Sequence, residues 1–330
     1  MLRRPVMTAL LAVLATASID AAAHMVQAHE VYAVTPRTVR QQVPGVYRFQ
    51  VGDVRITALS DGTVPQDLHK LLLGTTAAKT DALLAQGYLA NPVEASINVY
   101  LVEMGDRRIL VDTGSGDLFG PGFGGKLAES LAAAGVRPEQ VTDVLITHVH
   151  TDHTGGLVKA GARVFANATV HVGKPDVEFF MDKSNAGKAH YDMKYFDEAA
   201  ITLKPYLDAG KVKPFAAAAE ILPGITATLH PGHTPGSAFY TLKSGGQQIV
   251  FVGDIIHVLS VQFPEPAITI VYDVDPKEAA KERAEQFPVF ARERELIAAP
   301  HLPFPGVGHV KTAGHGFAWV PVDYGNRDIK

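Results

Sequence analysis

A chain of 330 residues that is 47% hydrophobic can bury one large core, or at most two. Its net charge of -4 and the lack of any block of Lys and Arg argue against a nucleic-acid partner, because counterion release needs clustered cations. There is no cysteine, which excludes disulfides and thiolate metal sites and leaves any metal to His and carboxylate ligands.

Arg3 and Arg4 precede an apolar run from Val6 to Ala17 and then the small residues Ala21-Ala22-Ala23. This is the layout of a secretory signal peptide, too short to span a membrane as a mature helix. Residues 1–28 are therefore expected to be removed, with cleavage after Ala23 or after Ala28, and the product to be periplasmic or secreted. The paired arginines lack the rest of a twin-arginine pattern, which favours ordinary export. Residues 29–330 then form a single domain that begins with a polar, irregular arm to Pro44.

Tyr47 to Val51 and Val54 to Leu59 are β-rich runs around Gly52-Asp53, a hairpin signal, with Ser60-Asp61-Gly62 ending the second. Leu68 to Gln86 reads as helix broken at Gly74. Ile97 to Glu103 and Arg108 to Val111 make another hairpin, which ends in Asp112-Thr113-Gly114. A Gly-rich stretch leads to a helix reaching Ala134, and Val144 to Thr147 is a buried strand. An insertion over about 174–219 carries Phe179, Phe180, Tyr191, Tyr195, Phe196 and Tyr206. Two readings of these rings stand side by side: helix packing, or a lid lining an apolar substrate pocket. Ile225 to Leu229 is a strand, Ala238 to Leu242 and Gln248 to Val252 form a hairpin ending in Gly253-Asp254, and Lys277 to Ala298 reads as the longest helix, stopped by Pro300-His301.

The densest chemistry lies in Thr147-His148-Val149-His150-Thr151-Asp152-His153-Thr154-Gly155-Gly156. His148 and His150 alternate, so an extended backbone points both the same way. Asp152 and His153 lie past the strand end, where a bend aims them at a second ion. Neutral imidazoles and carboxylates in such density suit a divalent metal of borderline softness. His233, Asp254 and His301 each follow an element end beside Gly or Pro and complete a set of five imidazoles and two carboxylates.

His148-x-His150-x-Asp152-His153, Gly232-His233-Thr234-Pro235-Gly236, Gly253-Asp254 and the late His301 resemble the motifs of the metallo-β-lactamase superfamily. Ala58-Leu59-Ser60-Asp61-Gly62, Leu118-Phe119-Gly120-Pro121 and His301-Leu302-x-Phe304-Pro305-Gly306 are similar to the methyl parathion hydrolase group within it. The resemblance implies an α/β (α+β) fold, a four-layer αββα sandwich with a dinuclear centre. His148, His150 and His233 would hold one ion; Asp152, His153 and His301 the other; Asp254 would bridge. Zinc is the default metal for such ligands. A bridging hydroxide would open a lactone or cleave an aryl ester, with Asp152 and Asp254 as the catalytic carboxylates and Asp152 carrying the proton to the leaving group. Phe119, Phe180 and Phe196 match aromatic pocket positions of the group, and a homodimer is implied. His257 stands where the phosphotriesterase has an apolar residue, and an imidazole there suits a carbonyl substrate better than a triester. The substrate expected is a small apolar or aromatic ester or lactone; a methyl parathion-type triester or an acyl-homoserine lactone is the alternative.

Overall fold

The computed structural model describes residues 42–326; the expected signal peptide, its two cleavage positions and the first part of the arm lie outside them. The first half of the chain forms β1 (Val46–Val51), β2 (Val54–Gln66), β3 (Leu72–Leu73), β4 (Val93–Met104), β5 (Arg107–Val111), β6 (Asp143–Ile146), β7 (Val158–Lys159), β8 (Ala162–Arg163), β9 (Thr169–Gly173) and β10 (Val212–Phe215). The second forms β11 (Ala219–Leu222), β12 (Ile225–Leu229), β13 (Ala238–Ser244), β14 (Gln247–Phe251), β15 (Thr269–Ile270), β16 (Ile297–Ala298), β17 (Val307–Ala313) and β18 (Gly316–Pro321).

Two seven-stranded sheets result, ordered β1-β2-β4-β5-β6-β9-β10 and β11-β12-β13-β14-β16-β17-β18. Their residues alternate between two cores, as a period of two requires. Val144 and Ile146 of β6 join Leu110, Val170, Phe180 and Phe196 on the helical side of the first sheet, whereas Leu145 between them faces Tyr240 and Phe251 of the second. On the far side of the second sheet, Phe239, Val250 and Ile297 pack on Phe287 and Phe290 of the helix Pro276–Glu293. The layers therefore run helix, sheet, sheet, helix, the αββα order expected.

The hairpins and central strands fall where the alternation of residues puts them, and three expectations are corrected. First, β2 does not end at Ser60-Asp61-Gly62; it continues to Gln66 past a register shift between Ser60 and Thr63. The Asp61 side chain turns inward and accepts from Ser115 N, Ser115 Oγ, Gly125 N and Leu127 N, at 2.8–2.9 Å, pinning the Gly-rich loop. Second, the long helix stops at Glu293, where Arg294 adopts φ 54°, and the apolar run that follows is the strand β16. Two strand residues are too few to show a period, so they read as more helix. Third, the 174–219 insertion is not one uniform lid. It folds into helices Lys174–Met181, Ser184–Ala189 and Met193–Asp208 and then into β10, which extends the first sheet in parallel with β9.

One residue of that insertion fastens the future site together. Asp176, in the first turn of helix Lys174–Met181, accepts from Val149 N (2.8 Å), Thr234 Oγ1 (2.8 Å) and Gly236 N (2.6 Å), so a single carboxyl ties the loop after β6 to the loop after β12. Burial pushes it up to about 6, against the pull of its three donors. A carboxyl raised above its unfolded value of 3.8 stabilises the fold fully below that value and loses this contribution as the pH rises through about 6. Asp176→Asn, which cannot ionise and turns an amide NH₂ on those donors, is expected to destabilise by roughly 1–3 kcal/mol. Urea unfolding of chelator-treated protein should find that deficit largest near pH 4 and narrower near about pH 7. Phe196→Ala, in the helix-side core, is expected to cost about 3–5 kcal/mol, read from the same unfolding curves.

Candidate metal centre

Parallel strands bring the candidate ligands to one edge of the sandwich. β6 runs parallel to β5, and β14 parallel to β16. The chain leaving β6 supplies His148 and His150, then a single helical turn, Thr151–Thr154, that carries Asp152 and His153. Asp254 follows β14, His301 follows β16, and His233 sits in the turn between β12 and β13. Close backbone contacts explain the glycines beside them. A Cβ on Gly232 (φ +137°) would lie 2.5 Å from Ala279 N, so only glycine lets the His233 turn lie down on the long helix.

His148 Nε2, His150 Nδ1 and His233 Nε2 stand 3.0–3.2 Å from one another. Hydrogen-bond partners on the far side of each ring assign the tautomers. His233 Nδ1 lies 2.8 Å from the Asp273 carboxylate and must donate to it. Tyr191 uses its proton on the Tyr272 carbonyl, so its oxygen accepts from His150 Nε2 at 2.8 Å. Thr147 uses its proton on Asp112, so it accepts from His148 Nδ1 at 3.1 Å. Each outer nitrogen is thus a donor and each inner one a bare lone pair. Burial also holds His148 and His150 well below the usual imidazole range, keeping both rings neutral. Three lone pairs at this spacing fit the face of a tetrahedral cation site, in which Zn–N bonds of about 2.0–2.1 Å separate nitrogens by about 3.3 Å.

The second group is organised by charge. His153 Nδ1 donates to Asp112 (2.8 Å) and His301 Nδ1 to the Ser96 carbonyl (2.8 Å). Their Nε2 atoms turn toward Asp254, at 3.3 Å from Oδ1 and 3.0 Å from Oδ2, with Asp152 at 3.7 and 3.5 Å. Burial would lower both imidazoles, yet the surrounding carboxylates win: His301 is raised to about 9 and His153 well above its ordinary value. Asp254 is held well below the carboxylate range by these histidines although burial opposes it. A site that draws positive charge so strongly is suited to a divalent cation. His148–His150–His233 and Asp152–His153–His301 each bring their ligand atoms within 4.8 Å of one another, and Asp254 lies between the two groups, 3.4 Å from His233 Nε2.

All seven candidate ligands converge. The cavity over them, about 670 Å³, is walled by Val64, Pro65, Gln66, Phe119, Tyr195, His257 and Tyr272 among others. Phe119 and His257 therefore stand in the pocket as expected. Phe180 and Phe196 do not: both are fully buried in the helix-side core, and Phe180 meets the site only through an edge contact with His150. Along helix Met193–Asp208, consecutive residues are turned about 100° apart, so Tyr195 takes the pocket position and Phe196 the core position. Asp176, Asp273, Tyr191, Gln66, Lys194 and Tyr272 have no part in the sequence reading of the ligand set. Asp273 lies outside every motif the sequence offers, and Gln66 falls in the part of β2 beyond Gly62 that the sequence does not assign to a strand. His171 and His230 pair with Asp143 (3.0 Å) and Glu282 (2.6 Å), outside the ligand groups.

Residues 93–301 match the family model described as metallo-beta-lactamase superfamily. Among solved structures, one described as hydrolase AbOPH in the beta lactamase superfamily is 38% identical, with a TM-score of 0.81 over 87% of this chain and 100% of its own. AidC, described as a dizinc quorum-quenching lactonase in complex with a product, is 26% identical, with a TM-score of 0.78 over 87% of this chain and 100% of its own. Ribonuclease TTHA0252 of Thermus thermophilus is 27% identical over 191 residues, 55% of this chain and 40% of that protein. The chain spans less than half the length of the curated relatives it matches. The αββα layers, the converging His and Asp ligands and a family match over residues 93–301 agree, and the chain belongs to the metallo-beta-lactamase superfamily.

Proposed function

We propose that the protein is a dinuclear-metal hydrolase that opens a lactone or cleaves an aryl ester, with phosphotriester cleavage as a side activity. The observation that carries this reading is the inward convergence of three imidazole lone pairs beside the buried Asp254 carboxylate. His148, His150 and His233 would hold one ion, Asp152, His153 and His301 the second, and Asp254 would bridge them. Zinc suits a set of imidazoles and carboxylates without thiolate. When bound, two such ions supply Lewis-acid polarisation of a carbonyl oxygen and a lowered pKa for a shared water.

The chain's own residues would do the rest. Asp152 lines the cavity and keeps part of its side chain exposed, so its carboxylate can reach the departing oxygen. As water oxygen bonds to the carbonyl carbon and the C–O bond breaks, Asp152 would carry the water proton to the leaving alkoxide, giving an acid and an alcohol. Phe119, Tyr195 and Tyr272 offer ring faces to an apolar or aromatic substrate. His257 brings Nε2 to 3.1 Å from Asp254 Oδ2 and stacks on His301 at 5.3 Å, which would put an imidazole near the reacting carbonyl. That polarity favours carbonyl esters over a methyl parathion-type triester. The likeness to AidC, crystallised with an acyl-homoserine product, supports acyl-homoserine lactones as the second reading. The layout of residues 1–28 supports export of the mature protein.

Elemental analysis of purified protein should return about two metal equivalents per chain, and chelation should abolish hydrolysis until zinc is restored. His233→Ala should lose one equivalent and more than about 100-fold in rate. Dihydrocoumarin and aryl acetates are expected to be turned over faster than methyl parathion. His257→Leu should lower the lactone rate by about tenfold, the loss of one hydrogen bond to the reacting carbonyl, while lifting the ratio of triester to lactone turnover. A wild type that prefers the triester would sink the carbonyl-ester assignment.

A further inference from the structure

The cavity wall formed by β2 carries a polar group that the metal centre leaves unused. Gln66, the last residue of that strand, is only 7% exposed and lines the cavity, and its Oε1 has no hydrogen-bond partner among the described residues. Turning the amide over exchanges oxygen for nitrogen at the same unpaired position. A buried amide oxygen without a partner burdens the fold, since in the unfolded chain water would satisfy it. His257, on the wall beside Asp254, is taken up by the ligand cluster instead, its Nε2 3.1 Å from Asp254 Oδ2.

Next to Gln66 the wall leads outward past mostly apolar side chains. Val64, Pro65, Phe119 and the charged Lys194 belong both to the inner cavity and to an outer trough of about 550 Å³, to which Leu118 and Phe123 are added. Phe123 is 42% exposed at the outer end. An arm leaving the reacting carbonyl by this route would run along the wall that holds Gln66 and Phe119 toward Phe123.

We propose that Gln66 is a specificity-determining residue: it hydrogen-bonds an amide or hydroxyl substituent next to the scissile ester, while the substrate's apolar arm runs through the trough toward Phe123. This assignment rests on the hydrolase reading for the position of the scissile bond, and on Gln66 itself for the polar substituent. A nonpolar ester would leave the amide as unsatisfied as it is in the free protein, whereas an ester with a polar substituent would satisfy it on binding. Discrimination then comes from the protein's own unpaired group.

The test compares phenyl hexanoate with phenyl 2-acetamidohexanoate, using metal-loaded wild type and Gln66→Met, a change that keeps the side chain's length and removes its polarity. Wild type should favour the acetamido ester by about tenfold or more in kcat/KM, and Gln66→Met should bring that ratio near one. The ligand-free melting temperature separates recognition from architecture. Removing an unpaired amide should raise it by about 2 °C, or at least leave it unchanged. A lowered melting temperature, or failure to fold, would mean that the amide supports the fold and would overturn the proposal; so would a ratio unaltered by the substitution. The product acids, 2-acetamidohexanoate and hexanoate, give a binding arm independent of turnover, read as their shifts of the melting temperature. If the acetamido acid binds better to wild type and equally to Gln66→Met, but neither ester is cleaved, the subsite stands and the hydrolase reading falls.

Discussion

Three imidazole nitrogens held 3.0–3.2 Å apart, each with its lone pair turned inward, repel one another. The fold tolerates this because the opposite side of each ring is fastened to a partner that dictates the tautomer: Asp273 behind His233, Tyr191 behind His150, Thr147 behind His148. The same device recurs in the second group, where Asp112 and the Ser96 carbonyl stand behind His153 and His301. Outer partners that fix ring orientation also raise ligand basicity. The two sheets, the short helical turn and the pinned loops are best understood as the frame that keeps five rings aimed at a space only a cation can make favourable.

The frame reaches this arrangement by using one topology twice. In the first sheet β1, β2, β4 and β5 form an antiparallel meander, and the next strand, β6, returns parallel to β5. In the second, β11, β12, β13 and β14 form a meander and β16 returns parallel to β14. Each meander is followed by an aspartate, Asp112 or Asp254, and each returning strand by histidine, His148 or His301. The halves have diverged in role: Asp112 orients Thr147 and His153 from behind, while Asp254 faces the centre itself. Strand-end aspartates in the sequence hinted at this relation, but the order of the strands establishes it.

The ligands were legible because metal chemistry crowds rare residue types into short spans or sets them beside Gly and Pro. The central strands were legible because each face of each sheet is buried against a different core, so Val144, Leu145 and Ile146 all had to be apolar. What escaped shares a physical cause. Asp176 and Asp61 act through backbone N–H groups far away in sequence, and a carboxylate that accepts from a distant loop looks like a helix start or a turn residue. Phe196 was split from Tyr195 by helical rotation, and Phe180, on the separate helix Lys174–Met181, packs on Phe196 in the core; an aromatic-rich stretch reveals neither by composition. β17 and β18, joined across Gly314 at φ +58°, are an edge hairpin with five exposed residues in a row, so its alternation is diluted.

The distribution of unsatisfied groups ties stability to function. Eight buried side-chain atoms lack a hydrogen bond among the described residues, and five of them belong to Gln66, His153, Asp254 and His257. Elsewhere the fold is careful: Asp61 and Asp176 together accept seven hydrogen bonds. A chain able to satisfy buried carboxylates so thoroughly is not short of donors, yet most of the atoms it leaves open gather in one place. The open atoms fall into two kinds. His153 Nε2, the Asp254 oxygen and His257 Nε2 belong to the cluster and call for a cation, whereas the Gln66 amide stands on the cavity wall apart from the ligand groups and calls for a hydrogen-bonding ligand. Metal binding alone would relieve the first kind and leave the Gln66 amide open.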